Sequence, residues 1–169
     1  MAIMSKRCVI MRGVPGSGKS HFVGRHFGRA AKFSADGFFT DSQGNYKFNK
    51  DMLAEAHNHC LMRFCGYIHN AADGRFAVVD NTNVKAFEIA PYYRVAEVHG
   101  FVVHIFWLVC DPAVAAVRNI HGVPPPLVET MARSFEPLPS WWNQHIVTPD
   151  MLVAGYDPFV VAPSLKYTC

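Results

Sequence analysis

"RCVIMRGVPGSGKS", residues 7–20, decides how the rest of the chain is read. It opens on a short apolar run, the pattern of a buried strand. Three glycines, Gly13, Gly16 and Gly18, follow within six residues, and Lys19 and Ser20 come directly after them. Gly13, Gly18, Lys19 and Ser20 meet the pattern G-x-x-x-x-G-K-[ST], that of a phosphate-binding loop between a strand and a helix. The chemistry asks for these residue types. Glycines let the loop curl with its N–H groups facing inward. The helix start adds unpaired donors and the positive end of its dipole. Lys19 brings a point charge to the β and γ phosphates, and the Ser20 hydroxyl can ligate Mg²⁺. The loop from Gly13 through Pro15, Gly16, Ser17, Gly18, Lys19 and Ser20 to His21 is therefore assigned to a nucleotide, ATP or GTP.

Outward from the loop, strands and helices alternate. "AKFSA" (31–35), "FAVVD" (76–80) and residues 101–109 read as further strands. Helices are predicted from about Lys19 to Gly28, from an Asn49 cap to about Ala72, and from Val84 to His99. Asp111-Pro112 caps another helix, to about Ile120, and Pro124–Pro126 open the last, to about Ser134. Together with the phosphate loop, this order predicts an α/β P-loop NTPase/kinase fold: a parallel sheet of four to five strands, helices on both faces and a helical lid over about 112–136. One domain over 1–169 is expected. Strands that are apolar throughout suit a sheet covered on both sides. Ligands of such sheets bind at the carboxyl ends of the strands. Gly13, Asp36, Asp80 and Asp111 all sit just past strand ends, on one rim.

The carboxylates divide by task. Asp80 ends an apolar strand, the place of an acid that holds Mg²⁺ directly or through water, although an Asp there also caps the next helix. Asp36 lies across the cleft from the loop, where a kinase needs a base for the acceptor hydroxyl; "SADG" is also a good turn. Arg118 and Arg133 lie on the two predicted lid helices, and Arg118 is the better candidate to stabilise the moving phosphoryl group. Phe38, Phe39, Tyr46 and Phe48 follow Asp36 and offer rings for stacking an acceptor base, or plugs for the core. Trp141 and Trp142 read as anchors for the tail.

The bulk numbers agree with an ordinary globular protein. Half of the 169 residues are hydrophobic, 17% are charged, and the net charge of +3 permits a polyanionic partner without demanding one. The longest apolar run, 101–110, is far below the roughly 20 residues of a membrane helix, so no membrane partner is expected. The glycine loop begins early, so no signal peptide is expected in these residues. Five scattered cysteines are not a disulfide framework and point to a reducing, cytoplasmic setting.

"MRGVPGSGKS", "FSADGFF", "YKFN", "AHNHC", "VVDNTN", "RNIHGVP" and "VETMARSFE" stand in the order and spacing of the polynucleotide 5′-hydroxyl-kinase-like group of P-loop kinases. The chain resembles that group over about residues 6–136. The resemblance implies ATP with Mg²⁺ and transfer to a 5′-hydroxyl of a single-stranded nucleic acid. By position it implies phosphate and metal roles for Lys19 and Ser20, a general base at Asp36 and a lid arginine at Arg118. It places Asp80, Thr82 and Asn83 beside the acceptor, with Asp80 also at the metal. Phe39 takes the acceptor-side place where the phage enzyme of the group has an arginine, and "IHG" stands where that enzyme has a second lid arginine. These departures keep two other readings open: a kinase of a nucleoside or other metabolite on the same fold, and a nucleotide-binding module without phosphoryl transfer.

Overall fold

The computed structural model describes residues 5–72, 74–152 and 156–159. Strand β1, Arg7–Arg12, is central, with Cys8 to Met11 fully buried. Helix α1 (Lys19–His26) and strand β2 (Ala31–Phe33) follow, then α2 (Leu53–Asn70), β3 (Phe76–Asp80) and α3 (Ala86–Val98). Strand β4 (Val102–Leu108), helices α4 (Pro112–Arg118) and α5 (Pro125–Arg133), and strand β5 (Gln144–Val147) complete the order. The sheet runs β2-β3-β1-β4-β5, with every neighbouring pair parallel. The chain reaches β2 and β3 on one side of β1, and β4 and β5 on the other. The glycine loop therefore leaves β1 where the strand order reverses, the place where such sheets bind ligands.

Both faces of the sheet are apolar and both are covered. Cys8, Ile10, Ala77, Val79, Val103 and Ile105 belong to the core shared with α2 and α3. Along α2 the buried residues are Ala56, Cys60, Phe64 and Ile68, a stripe at every fourth position that leaves the other sides to water. Val9, Met11, Val78, Phe106 and Leu108 pack instead with Phe22, Val23 and Phe27, from α1 and its end. Each fully buried large side chain of this kind contributes about 1.5–3 kcal/mol.

The caps follow the sequence. Asp111 Oδ1 accepts from the amides of Ala113 (2.8 Å) and Val114 (3.3 Å), so Asp111 serves α4. Asn49 caps a short 3₁₀ turn, Lys50–Met52, that runs into α2. Three features depart from expectation. The second strand stops at Phe33, because the Ser34 hydroxyl accepts from the Asp36 amide and starts a 3₁₀ turn over Ala35–Phe39. Helix α3 begins at Ala86, because the carbonyls of Asn83 and Val84 are taken by the Arg12 guanidinium. The fifth strand lies in the proline- and tryptophan-rich tail. There Trp142 is the anchor, stacked at 4.8 Å on Tyr93, while Trp141 is 70% exposed. Among the described residues no helix is long and apolar enough to cross a membrane.

Candidate active site

The loop after β1 is shaped by close approaches. Gly16 has φ 80°, and a Cβ there would lie 1.9 Å from the Ala115 carbonyl oxygen. Only glycine lets α4 dock so tightly on the loop. Gly18 leads into α1 with φ 94° and no side-chain cap, which leaves the first amides of the helix for another acceptor. Lys19 Nζ donates to the carbonyls of Gly13 and Val14, each at 2.9 Å. Burial holds its pKa below the usual lysine value, against the opposing charges of Asp80 and then Asp36. A phosphate approaching the loop would exchange those two carbonyls for stronger, charge-assisted bonds.

Ser20 and Asp80 lie side by side: the Ser20 hydroxyl donates to Asp80 Oδ2 at 2.8 Å. A hydroxyl and a carboxylate are hard oxygen donors, the set that suits Mg²⁺. His21 is exposed on the first turn of α1. Two loop residues serve the loop from within and not at its mouth. Pro15 is buried and has no N–H to give. Ser17 gives its amide to Val14, and its buried hydroxyl is turned toward Gly13.

"NTN", residues 81–83, ties the site together. Asn81 Oδ1 accepts from the Ala35 amide at 2.9 Å and so sets the start of the turn that carries Asp36. The Thr82 carbonyl accepts from the Gly13 amide at 3.0 Å. Asn83 is 3% exposed, has φ 48°, and donates from Nδ2 to the Met11 carbonyl at 2.7 Å. Asn83 is therefore a structural residue and is withdrawn from the acceptor side; asparagine suits the left-handed backbone there. Phe39 is corrected in the same way. Its ring is 7% exposed and packs against Phe38, Tyr46 and Phe48, because hiding a large apolar ring outweighs displaying it at the cleft.

Asp36 is solvent-exposed, and its carboxylate faces two partners. The Tyr46 hydroxyl donates to Oδ1 at 3.3 Å, and His121 Nε2 lies 3.8 Å from Oδ2. Burial, with the charge and hydrogen bond of Asp36, pushes the Tyr46 phenol up to about 12. Tyr46 is brought in by a bridge between Thr40 and Tyr46 that closes the loop after Asp36. His121 comes from the turn between α4 and α5. The sequence placed "RNIHGVP" in the site region without assigning this histidine. Its meeting with Asp36 spans 85 positions (121 − 36), which no local pattern encodes.

Arg118 ends α4, is exposed, and makes no ion pair among the described residues. With Ala113, Val114 and Val117 it lines a surface hollow of about 360 Å³. Arg133 pairs with Glu129 at 3.4 Å on the exposed side of α5. The site thus comprises an amide-lined loop with an ammonium group, a hydroxyl–carboxylate pair, and a separate carboxylate opposite the α4–α5 turn.

A family model described as an AAA domain matches residues 8–121. The chain belongs to this AAA-domain family. A human relative, NEDD4-binding protein 2 of Homo sapiens, is 32% identical over 143 residues, which is 76% of this chain. The chain spans only 8% of that relative's length. Among solved structures, the RNA repair complex of Pnkp1, Rnl and Hen1 contains a chain with TM-score 0.61 and 16% identity, the match covering 80% of this chain and 49% of that one. The APS kinase CysC of Mycobacterium tuberculosis, solved with AMPPNP and APS, gives TM-score 0.55 and 19% identity, covering 87% and 90%. At these identities the two structures establish the P-loop kinase fold of the AAA domain.

Proposed function

We propose that this AAA domain is an ATP-dependent phosphotransferase that moves the γ-phosphate to a 5′-hydroxyl of a polynucleotide. The observation that carries the reading is the Asp36 carboxylate, exposed beside the turn that rests on the phosphate loop. In this reading Lys19, the first amides of α1 and the loop N–H groups bind the triphosphate. Ser20 and Asp80 would hold Mg²⁺, which when bound neutralises charge on the phosphates. Asp36 orients the acceptor hydroxyl and takes its proton as the phosphoryl group leaves ADP. Arg118 swings from α4 toward the developing charge, with residues about 112–136 acting as the lid.

The acceptor class is argued from the surface around Asp36. Gly37, Thr40, Lys47 and Phe48 are all exposed, so the carboxylate faces an open surface on which a strand end can lie. The half-buried rings of Tyr46 and Phe38 offer stacking faces for a terminal base. Similarity to a chain of an RNA repair complex supports the same choice. The test offers γ-labelled ATP to 5′-hydroxyl RNA and DNA oligomers. Wild-type protein is expected to label them, and Asp36→Asn to label them about 10²–10⁴-fold more slowly, the usual worth of a general base. Labelling of nucleosides or sugars but of no oligomer would replace this reading with the metabolite kinase.

A further inference from the structure

The turn between α4 and α5 touches both halves of the proposed site. On one side the backbone of α4 and its end closes on the phosphate loop: a Cβ on Gly16 would lie 1.9 Å from the Ala115 oxygen and 3.0 Å from the Asn119 amide nitrogen. On the other side, His121 faces Asp36. The turn is held from within. Asn119 Oδ1 accepts from the His121 amide at 3.0 Å, and Asn119 Nδ2 donates to the Val123 carbonyl at 2.9 Å. Gly122, at φ 68°, allows the reversal. The imidazole is packed as well: its ring centroid is 5.2 Å from that of Tyr46, the residue whose hydroxyl reaches the other oxygen of the same carboxylate. At 3.8 Å the His121–Asp36 contact is an ion-pair distance, too long for a direct hydrogen bond. A shift of under about 1 Å in the turn would close it to hydrogen-bond length.

We infer that His121 is a positioning residue for Asp36. Seated on the phosphate loop through its turn, it steadies the carboxylate from the side opposite Tyr46, so that the nucleotide cradle and the acid keep one geometry. The inference rests on the kinase reading for its consequence, but the contact itself does not. His121 acts on the acceptor hydroxyl only through Asp36.

The test has two arms on the full chain. In the first, the His121 ring resonances are followed by NMR. Asp36→Asn and Tyr46→Phe are expected to move them, and Arg133→Gln, on the exposed side of α5, to leave them in place. Unmoved resonances in Asp36→Asn overturn the inference whatever the activity. In the second, phosphoryl transfer to a 5′-hydroxyl oligomer is measured. His121→Ala is expected to lower kcat about 10- to 100-fold with the KM for ATP held, as for a displaced reacting group. His121→Gln, which can still donate to the carboxylate, is expected to recover most of that loss. In an Asp36→Asn background His121→Ala is expected to cost nothing further. An equal, multiplicative loss in that background overturns the inference, since His121 would then act on substrate by itself. Moved resonances in a protein that labels no acceptor uphold the contact and overturn the kinase reading.

Discussion

Arg12 enters the interior with its charge and without a single-residue partner. It is 0% exposed, and its guanidinium donates to the carbonyls of Asn83, Val84 and Glu136 and to the Gln144 side chain. The rings of Trp107 and Phe135 lie 4.9 Å away. Burial pulls its pKa down to about 10, with Glu136 and Glu88 opposing, so it stays protonated at neutral pH. The planar fork is what lets one side chain gather the end of β1, the turn before α3, the start of β5 and the segment after α5. Arg12→Ala leaves two buried carbonyls, those of Asn83 and Val84, and the partly buried one of Glu136 short of a donor. It is expected to lower unfolding free energy by about 2–5 kcal/mol, at about 1–3 for each buried acceptor left unpaired, read as a lower urea midpoint. Arg12→Lys should recover little, because one ammonium cannot reach these acceptors together. Lys19 is the opposite case. Its buried ammonium is held by two loop carbonyls, and removing it relieves a desolvated charge. Lys19→Met should leave thermal stability unchanged or raised, while labelling of an oligomer falls about 10²–10³-fold.

Helix α4 is positioned by a glycine on another element. Because the Ala115 carbonyl occupies the place of a Gly16 Cβ, Gly16→Ala must push α4 off the loop or distort the loop itself. Added strain at φ 80° makes an expected cost of about 1–3 kcal/mol. The functional loss should exceed the stability loss, since the turn bearing His121 moves with α4. Isothermal titration with an ATP analogue, beside urea denaturation, would show affinity falling in a protein that still unfolds cooperatively. An unchanged affinity would mean that α4 and the loop are not coupled. The turn after β3 divides its work in a similar way. Asn81 fixes the start of the Asp36 turn, Thr82 fixes the loop, and Asn83 fixes β1. In the sequence Thr82 and Asn83 read as part of an acceptor patch. The actual partners of all three lie on β1, on the loop and on the turn after β2, at separations that only the folded sheet brings close.

Across the whole molecule, what could be read early is what is encoded locally. The glycine loop, the Asp111-Pro112 cap and the apolar strands carry their own signals, and all recur in the structure. Strand β5 has four residues, too few to carry a periodic signal of their own, and it takes its place by pairing in parallel with β4. Two histidines on that edge give the fold a pH dependence that no motif announces. His104 on β4 and His145 on β5 meet Nδ1 to Nε2 at 3.0 Å, and Asn143 Nδ2 lies 2.9 Å from the same His104 nitrogen. Burial, then the neighbouring His145 and Arg7, pushes the His104 pKa from 6.5 down to about 4; burial lowers that of His145 as well. Each is therefore neutral in the folded protein at pH values where the unfolded chain already binds a proton. Protons then favour the unfolded state, so this contribution is constant above about pH 7 and is lost as pH falls from about 6.5 toward about 4. Urea midpoints measured from about pH 7 down to about pH 4.5 should fall for the wild type, and fall less steeply for His104→Leu. The variant comparison is needed because carboxylates also titrate at the acid end of that range. Equal slopes in the two proteins would show that His104 is as easily protonated inside the fold as in the unfolded chain, which its burial between β4, β5 and the Phe106 and Phe159 rings contradicts.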